Sequence, residues 1–141
     1  MSEPPQTALI IDDDQDVCYL LVKALARGKI HAGTAHNLEQ AIHCLKEINP
    51  SLILLDNNLP DGLGLSLMKH IREFYAHAKV IMITADTTRG LREQALDQGV
   101  AGFLPKPFEL NTLLSVLNSQ IQISGVHDSQ EPDNINEKNE D

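Results

Sequence analysis

The sequence predicts an α/β protein, a single doubly wound parallel sheet of five strands with helices on both faces. Three observations carry that expectation. Short apolar runs alternate with longer segments of helical period, the runs are near-continuously apolar, and helix breakers stand at the joints. A strand covered on both faces has no solvent side, so it loses the every-other-residue pattern of a half-exposed strand. At 141 residues, 42% of them hydrophobic, the chain has the size of one ordinary domain.

The elements follow in order. Ala8-Leu9-Ile10-Ile11 reads as the first strand, and Val17, Leu20, Leu21, Ala24 and Leu25 form the stripe of a first helix that Gly28 closes. A weaker run at 30–35, interrupted by His31, Gly33 and Thr34, suits an edge strand. Asn37 is a plausible cap for the second stripe, Leu38, Ala41, Ile42, Leu45 and Ile48, which Asn49-Pro50 stops. Leu52-Ile53-Leu54-Leu55 is the third strand, followed by a stripe of Gly64, Leu67, Met68, Ile71 and Tyr75. Val80-Ile81-Met82-Ile83 precedes a shorter stripe of Leu91, Ala95 and Leu96, with Asp86 or Thr87 as its cap and Gly99 as its stop. Ala101-Gly102-Phe103-Leu104 is the fifth strand, and Leu110, Leu113, Leu114, Leu117 and Ile121 make the last stripe. Strands separated by helices join through right-handed crossovers into one parallel sheet.

Composition narrows the function. Net charge is −9, which argues against direct contact with nucleic acid or a membrane surface. No apolar run approaches the roughly 20 residues that span a bilayer, and residues 1–7 lack the features of a signal peptide. Cys18 and Cys44 have no CxxC spacing, so they read as thiols on helices in a reducing cytoplasm. From residue 126 onward six acids face one base, Lys138, and only two aliphatics occur. That composition predicts a flexible acidic ending. The expected organisation is an extension at 1–6, a folded domain at 7–123 and a tail at 124–141.

In a doubly wound sheet the binding rim lies outside the carboxyl ends of the strands. The chemically pointed residues fall there. The first strand runs into Asp12-Asp13-Asp14, the third ends in Asp56, the fourth in Thr84, and Lys106 follows the fifth. The second ends in Ala35-His36 with nothing comparable. Gathered carboxylates repel by roughly 4 kcal/mol per pair at 4 Å and an effective dielectric near 20, so a cation among them is expected. Hard oxygen ligands few in number, with room for water, suit Mg²⁺ better than zinc or an all-protein calcium cage. A carboxylate nucleophile, a divalent cation, an ammonium and a hydroxyl together suit phosphoryl transfer to or from an aspartate.

At these residues the chain resembles a response-regulator receiver domain of bacterial two-component signalling, over residues 8–121. The resemblance rests on Asp12-Asp13-Asp14, on Leu54-Leu55-Asp56-Asn57-Asn58-Leu59-Pro60-Asp61-Gly62, on Thr84-Ala85, and on Phe103-Leu104-Pro105-Lys106-Pro107-Phe108. It implies a (βα)5 flavodoxin-like fold with strand order 2-1-3-4-5. It further implies that Asp56 accepts a phosphoryl group from a sensor histidine kinase or a histidine phosphotransfer protein. Asp13, Asp56 and the backbone carbonyl of Asn58 would hold Mg²⁺, Asp12 would assist through water, and Lys106 would bind the phosphoryl oxygens. Thr84 and Phe103 would form the switch, with phenylalanine standing where many relatives have tyrosine. A cis Lys106-Pro107 bond is expected on the same ground, as are Asn58 and Asp86 flanking the path of hydrolytic water. The signal would leave through the fourth helix, fifth strand and fifth helix, toward an unknown downstream protein or a second copy.

Other readings compete for the same residues. Asp14 and Asp16 read equally as helix caps. Asp12-x-Asp14-x-Asp16 opens like an EF-hand loop, but Val17 and Lys23 stand where that loop needs Gly and Glu. A phosphatase of haloacid-dehalogenase type also uses Asp-x-Asp, Thr, Lys and Mg²⁺, yet it would leave Asp56 without a task. A receiver-like module that binds partners without phosphate is the remaining alternative, as is a receiver cut from a longer transcription factor.

Overall fold

The computed structural model of the protein describes residues 6–120. The expected tail at 124–141, and all of the expected extension but Gln6, lie outside them. The chain forms β1 (Thr7–Ile11), α1 (Gln15–Arg27), β2 (His31–Ala35), α2 (Leu38–Ile48) and β3 (Leu52–Asp56). A small hairpin follows, β4 (Asn58–Leu59) with β5 (Gly62–Leu63), then a turn of 3-10 helix (Gly64–Leu67) that leads into α3 (Met68–Phe74). The remainder is β6 (Lys79–Thr84), α4 (Arg89–Asp97), β7 (Gly102–Pro105) and α5 (Leu110–Gln120). None of these helices is long and apolar enough to cross a membrane.

Five strands form one parallel sheet in the order β2-β1-β3-β6-β7. With the hairpin set aside, this is the expected order 2-1-3-4-5. The register pairs Ile11 with Leu55, Asp56 with Ile83, and Thr84 with Pro105, so the strand ends carrying the polar residues sit level along one edge.

All of β3 is buried, which explains its unbroken apolar run. Alternate residues feed two cores. On one face Leu9, Ile11, Ile53, Leu55 and Met82 pack with Leu45 of α2, Met68 and Ile71 of α3 and Ala95 of α4. On the other, Ala8, Ile10, Leu52, Leu54 and Ile81 pack with Leu21 and Leu25 of α1 and Leu113 and Leu117 of α5.

Caps follow side-chain chemistry. Asp14 accepts the Asp16 and Val17 N–H groups at 2.9 and 3.2 Å, so it caps α1. Asn37 accepts the Gln40 N–H at 2.7 Å, and Asn49, in left-handed conformation at φ 49, closes α2 through the Leu45 carbonyl.

Gly28 closes α1 as expected, its N–H donating back to the Leu25 and Ala26 carbonyls, and the left-handed residue is Lys29 after it, at φ 64. Two expectations need correction. The cap of α4 is Thr88, whose Oγ1 accepts the Leu91 N–H, whereas Asp86 accepts the Thr88 N–H one step earlier. The third helix does not begin at Gly64. Asn57 accepts the Gly64 N–H with its backbone carbonyl and the Leu65 N–H with Oδ1, and these bonds draw the chain into a 3-10 turn before α3 starts.

Candidate functional site

Asp12 follows β1 and is fully buried. Its N–H donates to the Ala35 carbonyl at 2.9 Å, which ties it to the end of β2. Its own carbonyl lies 3.0 Å from His36 Nδ1 and accepts the Cys18 thiol at 3.3 Å. A carbonyl only accepts, so Nδ1 carries the proton in this contact. The end of β2 therefore does contribute, though not chemically: Ala35 and His36 hold the Asp12 backbone. The sequence offers no cue to this, because 24 residues separate the two and nothing in their spacing pairs them.

The Asp12 and Asp56 side chains converge on one ammonium. Lys106 Nζ is 2.7 Å from Asp12 Oδ2 and 3.3 Å from Asp56 Oδ2. The other carboxylate oxygens are met locally: Asp12 Oδ1 accepts the Asp14 N–H at 2.9 Å, and Asp56 Oδ1 accepts the Asn58 N–H at 3.2 Å. Asp13 is exposed at the rim, yet Asp12, Asp13 and Asp56 each bring one oxygen within 4.8 Å of the others. Asn58, beside them on β4, is exposed.

Lys106 is positioned by its N–H, which donates to the Thr84 carbonyl at 2.9 Å, and its peptide bond to Pro107 is cis as expected. Thr84 is buried, and its Oγ1 accepts the Asp86 N–H at 3.1 Å, leaving the hydroxyl proton free to be donated elsewhere. Phe103, on β7, is half-buried.

Burial and the neighbouring Asp12 charge push the Asp56 carboxyl above the ordinary aspartate value, against the pull of the Asn58 N–H and of Lys106. Burial draws the Lys106 ammonium down, but the Asp12 hydrogen bond and the charges of Asp12 and Asp56 outweigh it, and the net direction is up. The Cys18 thiol is pushed up to about 12 by burial and then by Asp12 and Asp14, so it is a poor nucleophile.

The fit to a metal ion can be judged from the donors. All three side chains offer carboxylate oxygen, and Asp12 Oδ2 is buried with no hydrogen-bond donor besides the ammonium next to it. Such a set suits a hard divalent cation.

Two further residues shape the loop after β3. Asp61, at the hairpin turn, accepts the Leu38 and Glu39 N–H groups at 2.8 and 3.2 Å, and these bonds hold its carboxyl below the ordinary value. Gly64 lies against the Asp56 carbonyl oxygen so closely that a Cβ would overlap it. Both residues stand in or beside the motif quoted above, but their partners are set by tertiary contact.

The family model of the response regulator receiver domain matches residues 8–118. PilR of Pseudomonas aeruginosa, a response regulator protein, is 34% identical over 127 residues, covering 90% of this chain and 28% of that protein. The transcriptional regulatory protein CitB of Klebsiella pneumoniae is 35% identical over 113 residues, covering 79% and 48%. The chain thus spans less than half the length of these curated relatives. A two-component response regulator from Clostridium difficile superposes with TM-score 0.73 at 32% identity, over 78% of this chain and 90% of that one. A response regulator from Burkholderia pseudomallei, solved with a phosphorylated aspartic acid, a calcium ion and citrate, gives TM-score 0.74 at 25% identity, over 79% and 66%.

Proposed function

The chain belongs to the response regulator receiver domain family and is a phosphorylation-dependent signalling receiver; from that premise we propose that Asp56 is its phosphoacceptor, with Lys106 and Thr84 receiving the phosphoryl oxygens. The observation that carries the assignment is the meeting of Asp12, Asp13 and Asp56 at the ends of β1 and β3, with the Lys106 ammonium, from the end of β7, against Asp12 and Asp56. The donor is a phosphohistidine of a sensor histidine kinase or a histidine phosphotransfer protein. An Asp56 carboxylate oxygen forms the new O–P bond as the P–N bond to the donor imidazole breaks, and the electron pair leaves with the imidazole.

Mg²⁺ is the proposed cation, held by Asp13, Asp56 and the backbone carbonyl of Asn58, with Asp12 assisting through water. When bound it supplies charge neutralisation for the carboxylates and the incoming phosphoryl oxygens. Lys106, already between Asp12 and Asp56, exchanges carboxylate contacts for phosphoryl ones. Thr84 donates its free hydroxyl proton to the new group, and Phe103 moves inward behind it. The phosphoryl group carries up to two negative charges and three acceptor oxygens in place of the single carboxylate charge of Asp56, a net gain of about one negative charge. That change biases a pre-existing equilibrium at the surface formed by α4, β7 and α5. A downstream protein, or a second copy through the α4 and α5 face, reads the shifted surface. Asn58 and Asp86 flank the approach of hydrolytic water and tune the lifetime of the phosphoryl group. The folded unit in this reading spans residues 7–123.

Intact-protein mass after incubation with acetyl phosphate tests the assignment. One phosphoryl group should be added with Mg²⁺, none after chelation, and none in Asp56→Asn. Phosphate release from varied monoesters that survives in Asp56→Asn would instead favour a phosphatase. A folded protein with no adduct and no turnover would favour a phosphate-independent binding module.

A further inference from the structure

Phe103 has a neighbour that the sequence did not single out. The Arg92 guanidinium, on the exposed side of α4, lies 4.6 Å from the centroid of the Phe103 ring. Its helix neighbours Arg89 and Glu93 are paired with each other at 2.9 Å, and among the described residues Arg92 has no ion-pair partner of its own. The ring and the guanidinium sit at a small pocket, which Leu91, Thr88 and Pro105 also line and which reaches Thr84. A phenylalanine has no hydroxyl with which to be tethered, so a directional hold on this ring has to come through its face. A guanidinium over that face provides one.

We infer that Arg92 is a positioning residue for the switch: it latches Phe103 in the unphosphorylated arrangement and thereby sets how readily the domain leaves it. The latch rests on the reading of Phe103 as the moving aromatic residue. The physical case is one of differential contact. An interaction present in one state and absent from the other moves the equilibrium by its own strength, whereas a contact made equally in both moves nothing. The ring faces the guanidinium where it stands now, and in the proposed movement toward Thr84 the ring gives up that contact. Arg92 therefore stabilises the resting state against the phosphorylated one. Its contact is exposed to solvent on the guanidinium side, so its strength is that of a surface cation–π pair, a shift of roughly two- to five-fold in population.

The test uses Arg92→Ala, Arg92→Lys, Phe103→Leu and the Arg92→Ala/Phe103→Leu pair, each shown folded by circular dichroism. The initial rate of phosphorylation by acetyl phosphate with Mg²⁺ is followed by intact mass, and the Phe103 ring resonances by NMR. Arg92→Ala should raise the rate roughly two- to five-fold and move the ring resonances toward their phosphorylated positions. Arg92→Lys, which keeps a cation over the ring, should stay nearer wild type. In the Phe103→Leu background the arginine should no longer matter. An unchanged rate and unmoved ring resonances in Arg92→Ala overturn the latch, as does an equal rate change with and without Phe103. Should wild type take no phosphoryl group at all, the receiver assignment fails separately, and ring-to-Thr84 NOEs then decide the latch: stronger NOEs in Arg92→Ala than in wild type keep it, and unchanged ones end it.

Discussion

The Asp56 carboxylate accepts one peptide N–H and faces one ammonium, yet a second buried carboxylate stands across that ammonium. Its folded pKa is raised from 3.8, so the native state binds the proton more tightly than the unfolded chain. Stability therefore falls as pH rises from about the unfolded value through the raised folded one, and it stays lower above. Asp56→Asn removes that cost. Thermal unfolding without divalent cations should give the variant a higher midpoint than wild type at pH 7, with the difference shrinking toward pH 4. A difference that widened on acidification would contradict the raised pKa. Lys106 works in the opposite sense: with its pKa raised from 10.5, its contribution is full below that value and is lost only as pH rises through the folded pKa. The rim residues were legible in the sequence because each directly follows an apolar run, and strand ends in a parallel sheet converge. His36 and Cys18 were not, since both act on the backbone carbonyl of Asp12, and a contact to a main-chain atom leaves no signature in residue type.

Among the elements, the hairpin and 3-10 turn after β3 control how Asp56 is presented. Gly64 passes against the Asp56 carbonyl, with no room for a side-chain carbon. Gly64→Ala must push the turn away from β3, which should destabilise the domain by roughly 1–3 kcal/mol. It should also slow phosphorylation by acetyl phosphate, since Asp56 is displaced with its carbonyl. Denaturant unfolding and intact mass measure the two effects, and a variant with wild-type stability would show that the turn yields freely. These short pieces escape sequence reading for a physical reason. Strands of two residues carry no period, and a 3-10 turn that runs directly into α3 borrows the stripe of the helix behind it, so Gly64 and Leu67 read as helical. The long elements were legible because burial on both faces of β1, β3 and β6 leaves no polar interruption. The cap of α4 slipped by one or two residues because Asp86, Thr87 and Thr88 all suit the role chemically, and only backbone geometry selects Thr88.

At the scale of the whole molecule, fold stability and cation binding are linked through the carboxylate cluster. A ligand that binds only the folded state stabilises it by about 2.7 kcal/mol at 100 times its dissociation constant. Mg²⁺ should therefore raise the unfolding midpoint of wild type, chelation should reverse the rise, and Asp13→Asn should blunt it. An equal rise in that variant would remove Asp13 from the metal site. The two cores also lie on opposite faces of a sheet whose central strand feeds both. Phe103 packs against the core that includes α2, α3 and α4, and α1 belongs to the other. Ile71→Val and Ile30→Val, one from each core, should have additive effects to within about 0.5 kcal/mol, while Ile11→Val and Ile53→Val, from the same core, should depart from additivity. Denaturant titrations of the two double variants decide it. The sheet is thus no partition between robustness and signalling: α5 packs in the core opposite Phe103 yet belongs to the proposed output surface, so drift in either core can retune the domain.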